Sequence, residues 1–201
     1  MSKIKKALMI VTCCFMQVTV SAQSVPYRLI FTGDIMLARE VQHEILEKHH
    51  ASPWEQLKSF FSSADWLIGN FEGAVGNSVE CRGSSVPCFA ISSSMLPMVR
   101  NAGFNALGIE NNHSSDVDKH NNIATENALI SNKITPLTSN NSPQFLKLGR
   151  YTIAIITFTN IAGRDGKKIA IPSDVLLQKL RLAKTLANWV IVYLHWGNEL
   201  M

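Results

Sequence analysis

The chain has little cysteine, little charge and no long apolar run, and each shortage closes off a class of protein. Four of its 201 residues are cysteine. Cys13 and Cys14 lie near the N-terminus, while Cys81 and Cys88 are spaced too widely for a zinc knuckle and have no histidine beside them, which argues against a structural zinc site. Charged residues make up 17% of the chain. Its lysines and arginines are scattered rather than gathered in a stripe, so no nucleic-acid partner is expected. No internal repeat, low-complexity tract or linker breaks the sequence, which leaves one globular domain. The apolar stretch Ala7 to Val20 falls short of the roughly 20 residues that a membrane-spanning helix needs.

What surrounds that stretch gives it another meaning. Lys3, Lys5 and Lys6 precede it, and the small residues Val20-Ser21-Ala22 follow it. A basic start, a short apolar segment and a small-residue cleavage site predict a secretory signal over residues 1–22, with a mature chain from Gln23. If retained, the segment becomes an N-terminal membrane anchor. Lipid attachment at Cys13 or Cys14 fits less well, because Thr12 or Cys13 stands where a small residue should precede the modified cysteine. Losing the three lysines takes the formal charge from +4 to +1. Export to the periplasm or cell envelope also gives Cys81 and Cys88 an oxidising environment, in which they are expected to pair around the loop Arg82 to Pro87.

Along residues 23–201, apolar runs alternate with helical periodicity. Strands are expected at Tyr27 to Phe31, Trp66 to Gly69, Asn105 to Gly108, Tyr151 to Phe158 and Val190 to Leu194. Helices are expected at Val41 to His49, Pro53 to Phe61 with Ser52 as N-cap, Ser93 to Asn101 stopped by Gly103, Lys119 to Ser131, and Ser173 to Leu186. The polar run Thr138 to Pro143 reads as a surface turn between short strands. This alternation predicts an α/β fold, a layered sheet of mainly parallel strands with helices on both faces. The closing apolar run reads as a central strand covered on both sides.

Polar residues gather where strands end: Thr32-Gly33-Asp34, Asn70-Phe71-Glu72-Gly73, Glu110-Asn111-Asn112-His113 and His195-Trp196-Gly197-Asn198-Glu199. Ligands of open α/β sheets bind beyond the carboxyl ends of the strands. Each cluster alone has a structural alternative: Asp34 as a helix cap, Asn70 and Glu72 as turn formers, Asn111 to His113 as an Asx-rich loop, and His195 with Trp196 as a strand cap. Together they offer carboxylate, amide and imidazole groups, which suit divalent cations such as Mn²⁺, Zn²⁺ or Fe.

Four segments, in order, look like the motifs of CapA-type capsule proteins. They are Phe31-Thr32-Gly33-Asp34-Ile35-Met36-Leu37-Ala38-Arg39, then Asn70-Phe71-Glu72-Gly73, then Ala102 to Asn105 running into Asn111-Asn112-His113-Ser114-Ser115-Asp116, and last His195-Trp196-Gly197-Asn198-Glu199. These are poly-γ-glutamate biosynthesis proteins whose domain is similar to calcineurin-like metallophosphoesterases. The resemblance implies Asp34 as a carboxylate on one metal, Asn70 and Glu72 in the segment of a bridging acid, Asn112 on a second metal and His195 as a further ligand. It implies His113 as the outer-sphere group that protonates a leaving oxygen, and capsule or exopolymer synthesis machinery at the membrane as partner.

The chain departs from the pattern at Met36, where related enzymes carry histidine, and at Val117-Asp118, where Tyr-Gly is usual. The family's Gly-His-His-Pro-His motif does not follow His195, so residues 23–201 are expected to form a partial CapA-like domain lacking its last motif. The function implied is an exported capsule-synthesis protein with metal-dependent phosphoesterase-type hydrolysis. The alternatives are a non-catalytic accessory of a polymer export complex and a periplasmic nucleotide phosphoesterase.

Overall fold

The computed structural model describes residues 26–82, 84–117, 122–140, 143–163 and 173–197. The expected signal segment, residues 1–22, and Asn198 and Glu199 lie outside these. Among the described residues no helix is long and apolar enough to cross a membrane.

Strand β1 (Leu29–Ile35) leads through helix α1 (Arg39–Leu46) and a short helix α2 (Lys58–Phe61) to β2 (Trp66–Phe71). Two-residue strands β3 (Ala74–Val75) and β4 (Ala90–Ile91) pair in parallel, and the cysteines between them are joined, Cys81 to Cys88. Helix α3 (Leu96–Asn101), β5 (Ala106–Gly108), α4 (Ile123–Ser131) and β6 (Thr135–Leu137) follow. Then come β7 (Gln144–Leu148), β8 (Tyr151–Thr159), α5 (Ser173–Leu186) and β9 (Trp189–His195). Strands β1, β2, β5 and β6 form one all-parallel sheet in the order β1-β2-β5-β6. A second sheet has the order β7-β8-β9, antiparallel at β7–β8 and parallel at β8–β9.

Three apolar clusters stack these elements into layers. Ile35, Phe61, Leu67, Phe71, Leu96, Phe104, Leu107 and Leu129 are buried where the helices between β1 and β6 cover one face of the first sheet. Ile68, Ala106 and Leu137 meet Leu146, Ile153 and Ile155 between the two sheets. Ala154 and Ile156 turn the other way, onto Ala183 of α5. The unbroken apolar run of β8 thus serves two cores, its alternate residues facing opposite sides. The fold is α/β with helices on both outer faces, as expected, but the strands divide into two packed sheets. The reversal that makes the second sheet mixed is the tight β7–β8 turn, where Gly149 has φ +58 and a Cβ would lie 1.7 Å from the Tyr27 hydroxyl.

Several bounds differ from expectation for local reasons. β1 runs on to Ile35, with its register against β2 shifting between Phe31 and Asp34. The segment from Pro53 forms a 3-10 turn, Glu55–Leu57, before α2, and Ser52 Oγ accepts from the Trp54 amide at 3.3 Å. Ser93–Met95 is likewise a 3-10 turn, capped by Ser92 and leading into α3. The described part of the helix expected from Lys119 begins at Ile123. β9, expected at the centre of a sheet, pairs among the described residues with β8 alone, and Trp189 and Val192 are exposed.

Candidate active site

The parallel register that aligns β1 with β2 sets Asp34 opposite Asn70. The last residue of β9 is His195, opposite Thr159 of β8. The seam between the sheets closes the distance: the Tyr193 hydroxyl donates to the Thr32 carbonyl at 2.9 Å, and the Tyr193 and Phe31 rings pack 5.5 Å apart. His195 Nδ1 thereby lies 3.4 Å from Asp34 Oδ1.

Asn70 joins them. Its amide nitrogen donates to Asp34 Oδ1 at 2.7 Å and lies 3.1 Å from His195 Nδ1. Its orientation is set from behind, because Asn111 Nδ2 donates to Asn70 Oδ1 at 3.1 Å and to the Phe71 carbonyl at 2.8 Å, while Asn111 Oδ1 accepts from the His113 amide at 3.0 Å. Those backbone contacts fix which end of Asn111 is nitrogen, and hence which end of Asn70 faces the cleft. Asn112 Oδ1 lies 2.9 Å from His195 Nε2. Because Asn112 Oδ1 can only accept, Nε2 donates to it, and Nδ1 is the ring nitrogen that faces Asn70 and Asp34.

Asp34, Asn70 and His195 line a cleft of about 90 Å³ with Thr32, Glu110, Thr157 and Tyr193. Burial pushes the Tyr193 phenol up, and the nearby Asp34 charge adds to the effect. Burial also raises the Glu110 carboxyl above its ordinary range, against the Ser139 amide it accepts at 2.6 Å and the Lys179 charge. Thr157 is 2% exposed and its hydroxyl has no hydrogen-bond partner among the described residues.

Glu72 and His113 form a second group. His113 is buried with its Nε2 4.0 Å from Glu72 Oε1, and its Nδ1 is 2.8 Å from Asp116 Oδ2. That same Asp116 oxygen accepts the Phe89 amide at 2.6 Å, and the Phe89 ring lies 4.0 Å from the imidazole. An acceptor held this way makes Nδ1 the donor and leaves Nε2 as the nitrogen available for proton exchange. Asn111 couples the two groups through the Asn70 side chain and the His113 amide.

Asp34, Asn70, Asn112 and His195 therefore meet, with Glu72 and His113 beside them. Of the structural alternatives, an Asx turn is present at Asn111, whereas the N-cap of α1 is Ala38, with no side-chain hydrogen bond. Met36 Sδ accepts from the Ala38 amide at 3.3 Å. Sequence reasoning assigned no role to Asp116, Glu110, Thr157 or Tyr193. The His113-x-x-Asp116 spacing was a readable signal, but the others become neighbours only through the sheet-to-sheet packing.

The donor set can be tested against a cation. Two ligands about 2.1 Å from a tetrahedral ion lie about 3.4 Å apart, the separation of Asp34 Oδ1 and His195 Nδ1. Half of the Asp34 side chain is exposed, so its carboxylate retains access to the cleft. The unpartnered Thr157 hydroxyl is a further polar atom awaiting a partner there. One carboxylate and one imidazole suit a borderline cation at Nδ1, with Asn112 Oδ1 placed on the opposite ring nitrogen, Nε2, where it orients the imidazole. Among the described residues no group of three or more His, Cys, Asp or Glu could hold one unaided.

Residues 28–201 match the family described as "Bacterial capsule synthesis protein PGA_cap". The chain belongs to that family. It is 26% identical over 184 residues to the "PGA biosynthesis protein CapA" of Bacillus subtilis (strain 168), an alignment covering 84% of this chain and 48% of the relative. The PGA_cap chain thus spans about half the length of that curated relative. A solved phosphatase from Mycoplasma pneumoniae shares the fold, with a TM-score of 0.52 at 19% identity over 85% of this chain and 55% of the other. A hypothetical protein from Thermus thermophilus has a TM-score of 0.46 at 16% identity, covering 85% of this chain and 58% of the other. The PGA_cap domain of this chain is therefore similar in fold to the Mycoplasma pneumoniae phosphatase.

Proposed function

We propose that this PGA_cap protein is exported and works in capsule-polymer assembly at the membrane, as a hydrolase of phosphoester or related bonds that uses a divalent cation, Mn²⁺, Zn²⁺ or Fe. The observation that carries the reading is the hydrogen-bonded chain Asp34–Asn70–His195–Asn112, which gathers side chains from the ends of β1, β2 and β9 and from the segment after β5. Asp34 and His195 would hold the ion, which would supply Lewis acidity toward an ester oxygen, while Asn112 on the opposite ring nitrogen orients His195. Asn70 steadies Asp34 and His195. His113, aligned by Asp116 and Phe89, carries the proton exchanged with a leaving oxygen at Nε2.

Titration of Mn²⁺ by calorimetry, with turnover of a generic phosphodiester, tests this. Binding abolished by Asp34→Ala and His195→Ala supports the site, whereas unchanged affinity in both refutes it. A second reading, a non-catalytic accessory that retains the fold, is favoured by one feature: Asn70 turns nitrogen rather than oxygen toward Asp34 and His195. Metal binding without turnover would select it.

A further inference from the structure

The end of the domain opposite the cleft is aromatic and basic. β1 and β9 both run from it toward the cleft, and the six steps from Trp189 to His195, at about 3.3 Å each, put the two ends about 20 Å apart. Three rings cross this end. Tyr27 meets Tyr151 with centroids 6.0 Å apart, and Tyr151 meets Trp189 at 4.8 Å. The Arg150 guanidinium lies 5.0 Å from the centre of the Tyr151 ring and donates to its hydroxyl. The rings nevertheless stay open to solvent: Tyr27 is 45% exposed, Trp189 49%, and Leu186, in the same turn of chain as Trp189, 57%. Apolar residues exposed singly are ordinary, whereas a contiguous group rimmed by charge marks a contact surface. The charge here is almost all of one sign. In the described segments 26–28, 62–65, 131–133, 147–151 and 184–189, Arg28, Lys133, Lys147, Arg150 and Lys184 are exposed. Against them stands one carboxylate, Asp65, whose Oδ2 accepts the Arg28 amide at 2.7 Å.

The direction of the chain gives a second argument. Tyr27 lies where the chain enters the domain, and six residue steps separate Pro26 from the end of the apolar stretch Ala7 to Val20. Six steps reach at most about 21 Å. A bilayer that holds the apolar stretch therefore faces this end of the domain and not the cleft. We infer that this end docks on an anionic bilayer, with Tyr27 and Trp189 seated among the headgroups, Arg28 and Arg150 on lipid phosphates, and the cleft of Asp34 and His195 turned away from the membrane. Tyrosine and tryptophan suit that depth because each joins an apolar body to a polar tip. Basic side chains beside them are drawn to the negative surface potential of the lipid. The inference deepens the membrane placement in the function proposed above, and needs neither a bound cation nor turnover.

The test is tryptophan fluorescence of the full chain mixed with vesicles of phosphatidylglycerol and phosphatidylethanolamine brominated near the headgroup. Phosphatidylcholine vesicles carrying the same quencher are the comparison. Emission is quenched on the anionic vesicles, less so as salt rises, and far less on phosphatidylcholine. Trp189→Phe removes the quenched component, whereas Trp196→Phe, at the cleft end, leaves it in place. A second variant covers the case in which Trp189→Phe fails to fold: Arg28→Gln with Arg150→Gln changes only exposed side chains. At about fivefold for each cation near an anionic surface, the pair lowers the ratio of docked to undocked chain about 25-fold while Trp189 remains. Quenching retained in Trp189→Phe overturns the inference, as does equal quenching on the two kinds of vesicle or quenching that Trp196→Phe abolishes. Mn²⁺ titration of the same samples reads the other end separately. A chain that binds the cation without docking refutes this inference alone, and one that docks without binding the cation refutes the cation site alone.

Discussion

Replacing Thr157 with valine should stabilise the protein and weaken its cleft. The two side chains have nearly the same shape, so the exchange removes a hydroxyl and leaves the packing between the sheets in place. That hydroxyl is buried at 2% exposure and lacks a partner among the described residues. A buried polar group without a hydrogen bond costs about 1–3 kcal/mol, so Thr157→Val should gain roughly 1–2 kcal/mol after allowance for relaxation. For a domain of this size each kcal/mol moves the melting temperature by about 3 °C. Urea unfolding and thermal melts of the oxidised chain measure the gain directly, and an unchanged urea dependence would confirm that only stability has moved. Mn²⁺ titration supplies the other half: a hydroxyl kept at such a cost serves whatever occupies the cleft, so affinity should fall. A valine variant that melts lower than the parent would refute the reasoning, because it would mean that the hydroxyl is already satisfied.

Breaking Cys81–Cys88 by paired serine substitution should lower stability by about 2.5 kcal/mol, the chain entropy of so short a loop. The urea midpoint with and without reductant checks it. Glu110→Gln should change the pH dependence of stability. Burial holds the Glu110 carboxyl above its unfolded range, so between the two values the folded state binds more protons and stability falls as pH rises. The wild type should therefore lose stability, relative to Glu110→Gln, from about pH 4.5 upward, and parallel curves would count against it. His113→Ala should lower any metal-dependent turnover by about 10²–10⁴-fold with little change in metal content.

Much of this could be read from the sequence because single segments carried it. The apolar run of β8 and the short cysteine loop are local signals, and the polar groups at strand ends declare a crevice before any strand is paired. The division into two sheets could not be read this way. It depends on which face of β8 meets Leu146 and which meets Ala183, and both faces are equally apolar in sequence. Two-residue strands β3 and β4 leave no period to detect, and Pro136 obscured β6, where proline is tolerated at the sheet edge. The donor role of Asn70 was hidden for another reason: an asparagine has two chemically different ends, and Asn111 decides between them.

The Tyr193–Thr32 hydrogen bond spans 161 positions of the chain. Beside it, Asp34 comes from one sheet and His195 from the other, so an ion shared by them would act as a removable staple between two separately built layers. Binding strength at that point then reports how well the layers are aligned. Saturating the site should raise resistance to unfolding in proportion to the logarithm of ion concentration, and slippage at the seam would be felt first as weakened affinity, before any loss of secondary structure.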